Sequence, residues 1–159
     1  MSLRAYIDTS VFGGYFDVGF DEASRRFFEM VEAKQILPLI SDVLLAEIGR
    51  APEPVRDLLV QVISGGIERL AATEEAIELQ EAYLRANVVS MNYADDALHI
   101  AQATLARADV VVSWNFRHLV NPTRIRGFNG INVAQGYGLI VILTPIDIVR
   151  IVEAEYGDE

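Results

Sequence analysis

The chain has 159 residues, 52 % of them hydrophobic, with 23 acidic against 13 basic side chains and a formal net charge of −10. That length fits one domain with a sizeable core, taken as residues 1–159, and the acidic balance disfavours a passive nucleic-acid coat, which carries a basic surface. The absence of cysteine excludes disulfides, thiolate nucleophiles and Cys-ligated zinc.

No apolar run reaches the roughly 18 residues of a membrane helix. The opening Met1-Ser2-Leu3-Arg4-Ala5-Tyr6-Ile7-Asp8 lacks the basic-then-apolar pattern of a secretory signal, so a cytoplasmic location is the expectation. An acidic chain is still compatible with an enzyme that meets nucleic acid through metal ions, because hard cations need clustered acids. Of the bases, 12 are arginine and Lys34 is the single lysine. The guanidinium group suits bidentate contacts with phosphate or carboxylate.

In chain order, Arg4-Ala5-Tyr6-Ile7 reads as a short buried strand that runs into Asp8, with Thr9 and Ser10 as turn and cap residues. Val11–Phe16 reads as a short, glycine-broken helix. Asp21 is the expected N-cap of a helix to Lys34, with Phe27, Phe28 and Val31 on its inner side. Ile36–Ile40 reads as a second strand. Ser41 or Asp42 opens a helix over Val43–Arg50, which Ala51-Pro52-Glu53-Pro54 ends, and Val55–Ile63 forms another before the Ser64-Gly65-Gly66 turn. A third strand follows at Ile67–Leu70, then a Thr73-capped acidic helix over Glu74–Ala86 and an alanine-rich one over Tyr93–Arg107. Asp109–Ser113 is an uninterrupted apolar strand of the kind buried on both faces. Trp114–Val120 reads as a loop or single turn and is followed by a mixed segment containing Pro122, Gly127 and Gly130. Ile140–Leu143 reads as a fifth strand, and Thr144-Pro145 starts the last helix. Strands alternating with helices imply a parallel sheet covered on both faces, an α/β fold.

Three acids besides Asp8 stand in apolar settings or at a helix start. Glu47 lies within Val43-Leu44-Leu45-Ala46-Glu47-Ile48, and Asp95 and Asp96 lie in the first turn of the Ala94-Asp95-Asp96-Ala97-Leu98-His99-Ile100 helix. Each has a plainer reading. Asp8 serves the following turn as a cap, Glu47 points outward from an amphipathic helix, or an aspartate simply favours the helix N-terminus. Asp95 is the plainer of the aspartate pair. Asp96 shares a face with His99 and Ile100, which points it toward the sheet. Buried carboxylates at one strand exit repel one another, and a divalent cation removes that conflict. Oxygen-only donors point to Mg²⁺ or Mn²⁺. Asn115, at the end of the fourth strand, is either a weak ligand near Asp8 or a cap of the next turn. The first role requires strands one and four to be neighbours. His99 and His118 read as packed structural residues rather than ligands, and Trp114 as packing under the site.

The segments Tyr6-Ile7-Asp8-Thr9-Ser10-Val11-Phe12, Ala46-Glu47-Ile48, Asp96-Ala97-Leu98-His99-Ile100-Ala101 and Val112-Ser113-Trp114-Asn115-Phe116 resemble, in order and spacing, the PIN domain, and more closely its VapC-like branch. Gly136-Tyr137-Gly138 through Ile142-Leu143-Thr144-Pro145 is similar as well, so the resemblance spans nearly the whole chain. It implies a three-layer α/β/α sandwich with a five-stranded parallel sheet and an Mg²⁺- or Mn²⁺-dependent endoribonuclease. It also implies, for many members, a toxin partnered by a small antitoxin protein. Asp8, Glu47 and Asp96 fall on the family's acidic positions, while Asn115 stands where many members carry a further aspartate, which removes a charge from a second metal site. Dimers are common in the family, and Phe27-Phe28 is a candidate contact.

The expected chemistry is phosphodiester hydrolysis of RNA. Asp8 and Asp96 hold the metal, Glu47 orients water or a second ion, Asn115 completes the shell, and Arg50 and Arg117 are candidates for clamping the backbone phosphate. A haloacid-dehalogenase-type phosphatase needs an acid where Ser10 stands, a receiver domain needs a late lysine, and no P-loop is present. Two rivals stay open: a DNA nuclease on the same fold, and a catalytically impaired PIN-like module that binds RNA or a protein partner.

Overall fold

A computed structural model describes residues 2–157; the outermost positions of the expected domain, 1 and 158–159, lie outside the described residues. The strands are β1 (Leu3–Ile7), β2 (Ile36–Ser41), β3 (Glu68–Leu70), β4 (Val110–Val112) and β5 (Ile142–Leu143). The α-helices among the described residues are α1 (Thr9–Gly14), α2 (Asp21–Glu32), α3 (Asp42–Ile48), α4 (Glu53–Ser64), α5 (Glu74–Arg85), α6 (Ala94–Leu105), α7 (Pro122–Ala134) and α8 (Pro145–Tyr156). All strand pairs are parallel, in the order β3-β2-β1-β4-β5. The fold is α/β, with helices on both faces of a five-stranded sheet.

Alternation along the strands splits their side chains between two cores. Ala5, Ile7, Val110 and Val112 join residues of α1, α2, α3, α4 and α8 on one face, while Tyr6, Leu39 and Val111 join α5, α6 and α7 on the other. Because both faces are covered, Val110-Val111-Val112 is apolar throughout. Strands one and four are neighbours, as Asn115 requires: Ala5, Tyr6 and Ile7 pair with Val110, Val111 and Val112. The chain leaves β1 toward β2 on one side and returns at β4 on the other. The exits of β1 and β4 thus form the switch point where parallel sheets bind ligands.

Several local expectations are corrected. Phe20, not Asp21, is the N-cap of α2; Asp21 sits one position inside, where its charge favours the helix N-terminus. The mixed segment after Val120 is a helix, α7, capped by Asn121, whose Oδ1 accepts from Thr123 N and Arg124 N, with Pro122 in its first turn. The fifth strand is shorter than Ile140–Leu143 because Asn129 of α7 takes both backbone groups of Ile140, at 2.8 Å to its N–H and 3.0 Å to its carbonyl. The first helix starts at Thr9, directly after Asp8. Phe27 and Phe28 are both buried in the core, so they do not offer the expected dimer contact. No helix among the described residues is long and apolar enough to cross a membrane.

Candidate metal and acid site

Asp8 occupies the N-cap position of α1, yet its side chain makes no capping bond. Its Oδ2 instead accepts from Ser10 Oγ at 2.7 Å and from Ser113 Oγ at 2.8 Å. Ser10 Oγ in turn accepts from Trp114 N at 2.9 Å, and Ser113 Oγ from Asn115 N at 2.9 Å. Two hydroxyls, one from the start of α1 and one from the end of β4, therefore orient a carboxylate that is only 4 % exposed. The plainer reading of Asp8, as a cap of the following turn, is set aside by this geometry.

Glu47 lies in the last turn of α3 and turns inward: its Oε1 is 2.5 Å from His99 Nε2. The same nitrogen lies 3.8 Å from Asp8 Oδ1, so one imidazole edge reaches both acids. His99 is fully enclosed on α6, and its Nδ1 is 2.5 Å from the Tyr6 hydroxyl, which donates to Ser41 Oγ at 2.7 Å. Nε2 faces a carboxylate, which only accepts, so this nitrogen donates to Glu47, and Nδ1 shares a hydrogen bond with the Tyr6 hydroxyl. Burial alone would lower the His99 pKa. The Glu47 bond and the charges of Asp8, Glu47 and Asp96 more than offset it, and the pKa is raised. His99 is thus packed, as expected, and its Nε2 also lies against two of the acids.

Asp96, one turn before His99 on α6, completes the set. Its Oδ2 accepts from Asn115 Nδ2 at 3.4 Å and lies 3.3 Å from His118 Nδ1. Burial, then the neighbouring Asp8 charge and to a smaller degree that of Glu47, raise its pKa to about 6, against the opposing effects of His99 and Asn115. Asp95 is exposed, in keeping with its plainer reading. His118 stacks on Tyr93 with ring centroids 3.8 Å apart, and burial together with Arg117 and Arg124 lowers its pKa.

Asn115 takes the plainer of its two expected roles, as a cap of the next turn. Its Oδ1 accepts from His118 N at 3.0 Å, and since a backbone N–H can only donate, the amide orientation is fixed. The side chain caps the turn with its oxygen and presents its NH₂ to Asp96. It orients an acid, and its Oδ1 keeps a second lone pair beyond the bond from His118 N. Trp114 packs beneath the site, with its indole N–H donating to Ser24 Oγ at 2.8 Å and its ring edge-on to Phe20. Arg50 and Arg117 are exposed at the turns after α3 and β4, and neither has a salt-bridge partner among the described residues.

Hydrogen bonds occupy one oxygen of each acid: Asp8 Oδ2, Glu47 Oε1 and Asp96 Oδ2. The second oxygen of each has no hydrogen-bond partner among the described residues. Three coupled carboxylates with oxygen to spare fit a hard divalent cation in donor chemistry. They do not form a ready-made cage: among the described residues no three His, Cys, Asp or Glu side chains close around one point. Sequence reasoning overlooked Ser10, Ser113, Ser41 and Tyr6. Only Ser113, a polar residue ending an apolar strand, carried a visible signal.

No protein-family model matches the chain, and no curated protein matches it at a significant level.

Proposed function

We propose that the chain is a divalent-cation-dependent endoribonuclease of the PIN, VapC-like type. The observation that supports this reading best is the approach of Asp8, Glu47 and Asp96 from three separate elements to the exits of β1 and β4, with Asp96 raised to about 6 by burial and by its neighbours' charge. Asp8, Glu47 and Asp96 are the residues that would hold Mg²⁺ or Mn²⁺. When bound, such an ion polarises a phosphodiester and eases deprotonation of water.

The chain's own residues supply the rest. Ser10 and Ser113 fix one oxygen of Asp8 and leave the other facing the cluster. Asn115 does the same for Asp96. Glu47, the most exposed of the three acids at 28 %, is the group best placed to orient water. Arg50 and Arg117 are available to clamp the RNA backbone. An acidic surface binds RNA poorly without such help, which favours a site where cations and a few arginines carry the contact.

The test is hydrolysis of single-stranded RNA with Mg²⁺ or Mn²⁺. Asp8→Asn is expected to lower the rate roughly 100-fold or more, the scale of losing one group that stabilises developing charge. Equal cleavage by both proteins would refute the reading. Pairing with a small antitoxin predicts growth arrest on induced expression and relief by the partner; unimpeded growth removes the toxin role but leaves the nuclease. One observation favours the second reading, a binding module: Asn115 brings no charge to the site, and its side chain is engaged by His118 N and Asp96. A module of that kind cleaves no RNA and shows little affinity for Mn²⁺.

A further inference from the structure

We infer that His99, held by Tyr6, is the positioning residue that keeps Glu47 inside the acid cluster. This rests on the cation reading of the site. Glu47 stands near the end of α3, a helix of seven residues. So short a helix has little stability of its own in water, and its last turn frays first. A carboxylate at such a place swings out to solvent unless something holds it.

The structure supplies a holder from the opposite layer. His99 Nε2 meets Glu47 Oε1, His99 Nδ1 meets the Tyr6 hydroxyl, Tyr6 meets Ser41 Oγ, and Ser41 Oγ accepts from Leu44 N at 3.1 Å as the N-cap of α3. One continuous network therefore grips α3 at both ends, from β1 through Tyr6 and from α6 through His99. Tyr6, Ser41 and His99 are all buried, so water cannot replace these bonds cheaply. The network uses only Oε1, which leaves Oε2 of Glu47 directed to other work. A buried histidine needs a partner on any protonated nitrogen, and here Nε2 finds it in Glu47, with Asp8 Oδ1 3.8 Å away.

The bond itself is tested in metal-free protein. By ¹⁵N NMR, His99 Nε2 is expected to carry a slowly exchanging proton whose resonance is shifted or lost in Glu47→Ala. An unprotonated Nε2, or a resonance indifferent to Glu47→Ala, overturns the inference. The consequence is tested by Mn²⁺ titration. His99→Asn keeps an amide near Tyr6 but falls short of Glu47, and is expected to weaken binding roughly ten- to a hundredfold, as for other partners that orient ligands. His99→Gln extends its amide to where Nε2 stood and is expected to recover most of the affinity. Tyr6→Phe, which leaves the ring packed, is expected to give an intermediate loss. Unchanged affinity in folded His99→Asn, or equal loss in His99→Asn and His99→Gln at wild-type melting temperature, overturns positioning. A wild type that takes up no Mn²⁺ overturns the cation reading instead, and the resonance alone then decides the His99–Glu47 bond.

Discussion

Asp96 is the residue whose behaviour depends most on its neighbours. Its pKa stands near 6 rather than its ordinary 3.8, through burial first and the Asp8 charge next. Replacing Asp8 with asparagine removes that charge, so Asp8→Asn is expected to lower the Asp96 pKa in a side-chain ¹³C titration; an unchanged value would place Asp96 outside the field of Asp8. The shift also sets a stability slope. A carboxyl whose folded pKa is raised binds an extra proton in the folded state, so its stabilising effect is complete below its ordinary pKa and disappears as pH rises through about 6. The raised pKa of His99 acts in the same direction. In chelator, melting temperature is expected to fall between about pH 4 and pH 6, and to fall less in Asp96→Asn. The three acids were readable in the sequence because charge in an apolar setting needs a reason. Tyr6, Ser10, Ser41 and Ser113 were not, since a strand tyrosine and turn serines acquire a role only from partners distant in sequence and near in space.

Among the elements, α1 shows how packing tolerances reach the site. A Cβ on Gly14 would stand 2.6 Å from Trp114 Nε1 and 2.7 Å from its Cδ1, and the indole is already fixed by Ser24 and Phe20. Gly14→Ala is therefore expected to destabilise the fold by about 1–3 kcal/mol, the usual range for overpacking. Urea denaturation followed by the fluorescence of the single tryptophan measures it, and wild-type stability would show that the ring moves freely. Strands β1 to β4 and helices α2 to α6 and α8 were legible from apolar periods and caps, and their ends differ by a residue or two. Helix α7 was not, because Gly127, Gly130 and scattered asparagines hide a period that the tertiary structure supplies. Its Phe128 is buried against Tyr83, its Asn132 is bonded to the Tyr83 hydroxyl, and Gly127 lets it lie against Val88. The shortened β5 follows from the same helix, through Asn129.

At the scale of the whole molecule, a sheet ordered β3-β2-β1-β4-β5 brings residues separated by a hundred positions to one edge. A parallel sheet was legible from alternating strands and helices, its strand order was not, and that order is what lets β1 and β4 share a site. The net charge of −10 limits how RNA can approach. If Arg50 and Arg117 are the phosphate contacts, each substitution to alanine is expected to reduce the steepness of log affinity against log salt by about 0.7, the value per phosphate for a single strand. An unaltered slope would remove that arginine from the contact.

The central claim is that Asp8, Glu47 and Asp96 act together on one hard cation, and Mn²⁺ titration by calorimetry tests it most directly. Saturable binding by the wild type, weakened at least about tenfold in each of Asp8→Asn, Glu47→Gln and Asp96→Asn, is the expected result. A wild type that takes up no Mn²⁺, or variants that bind it as the wild type does, would contradict it.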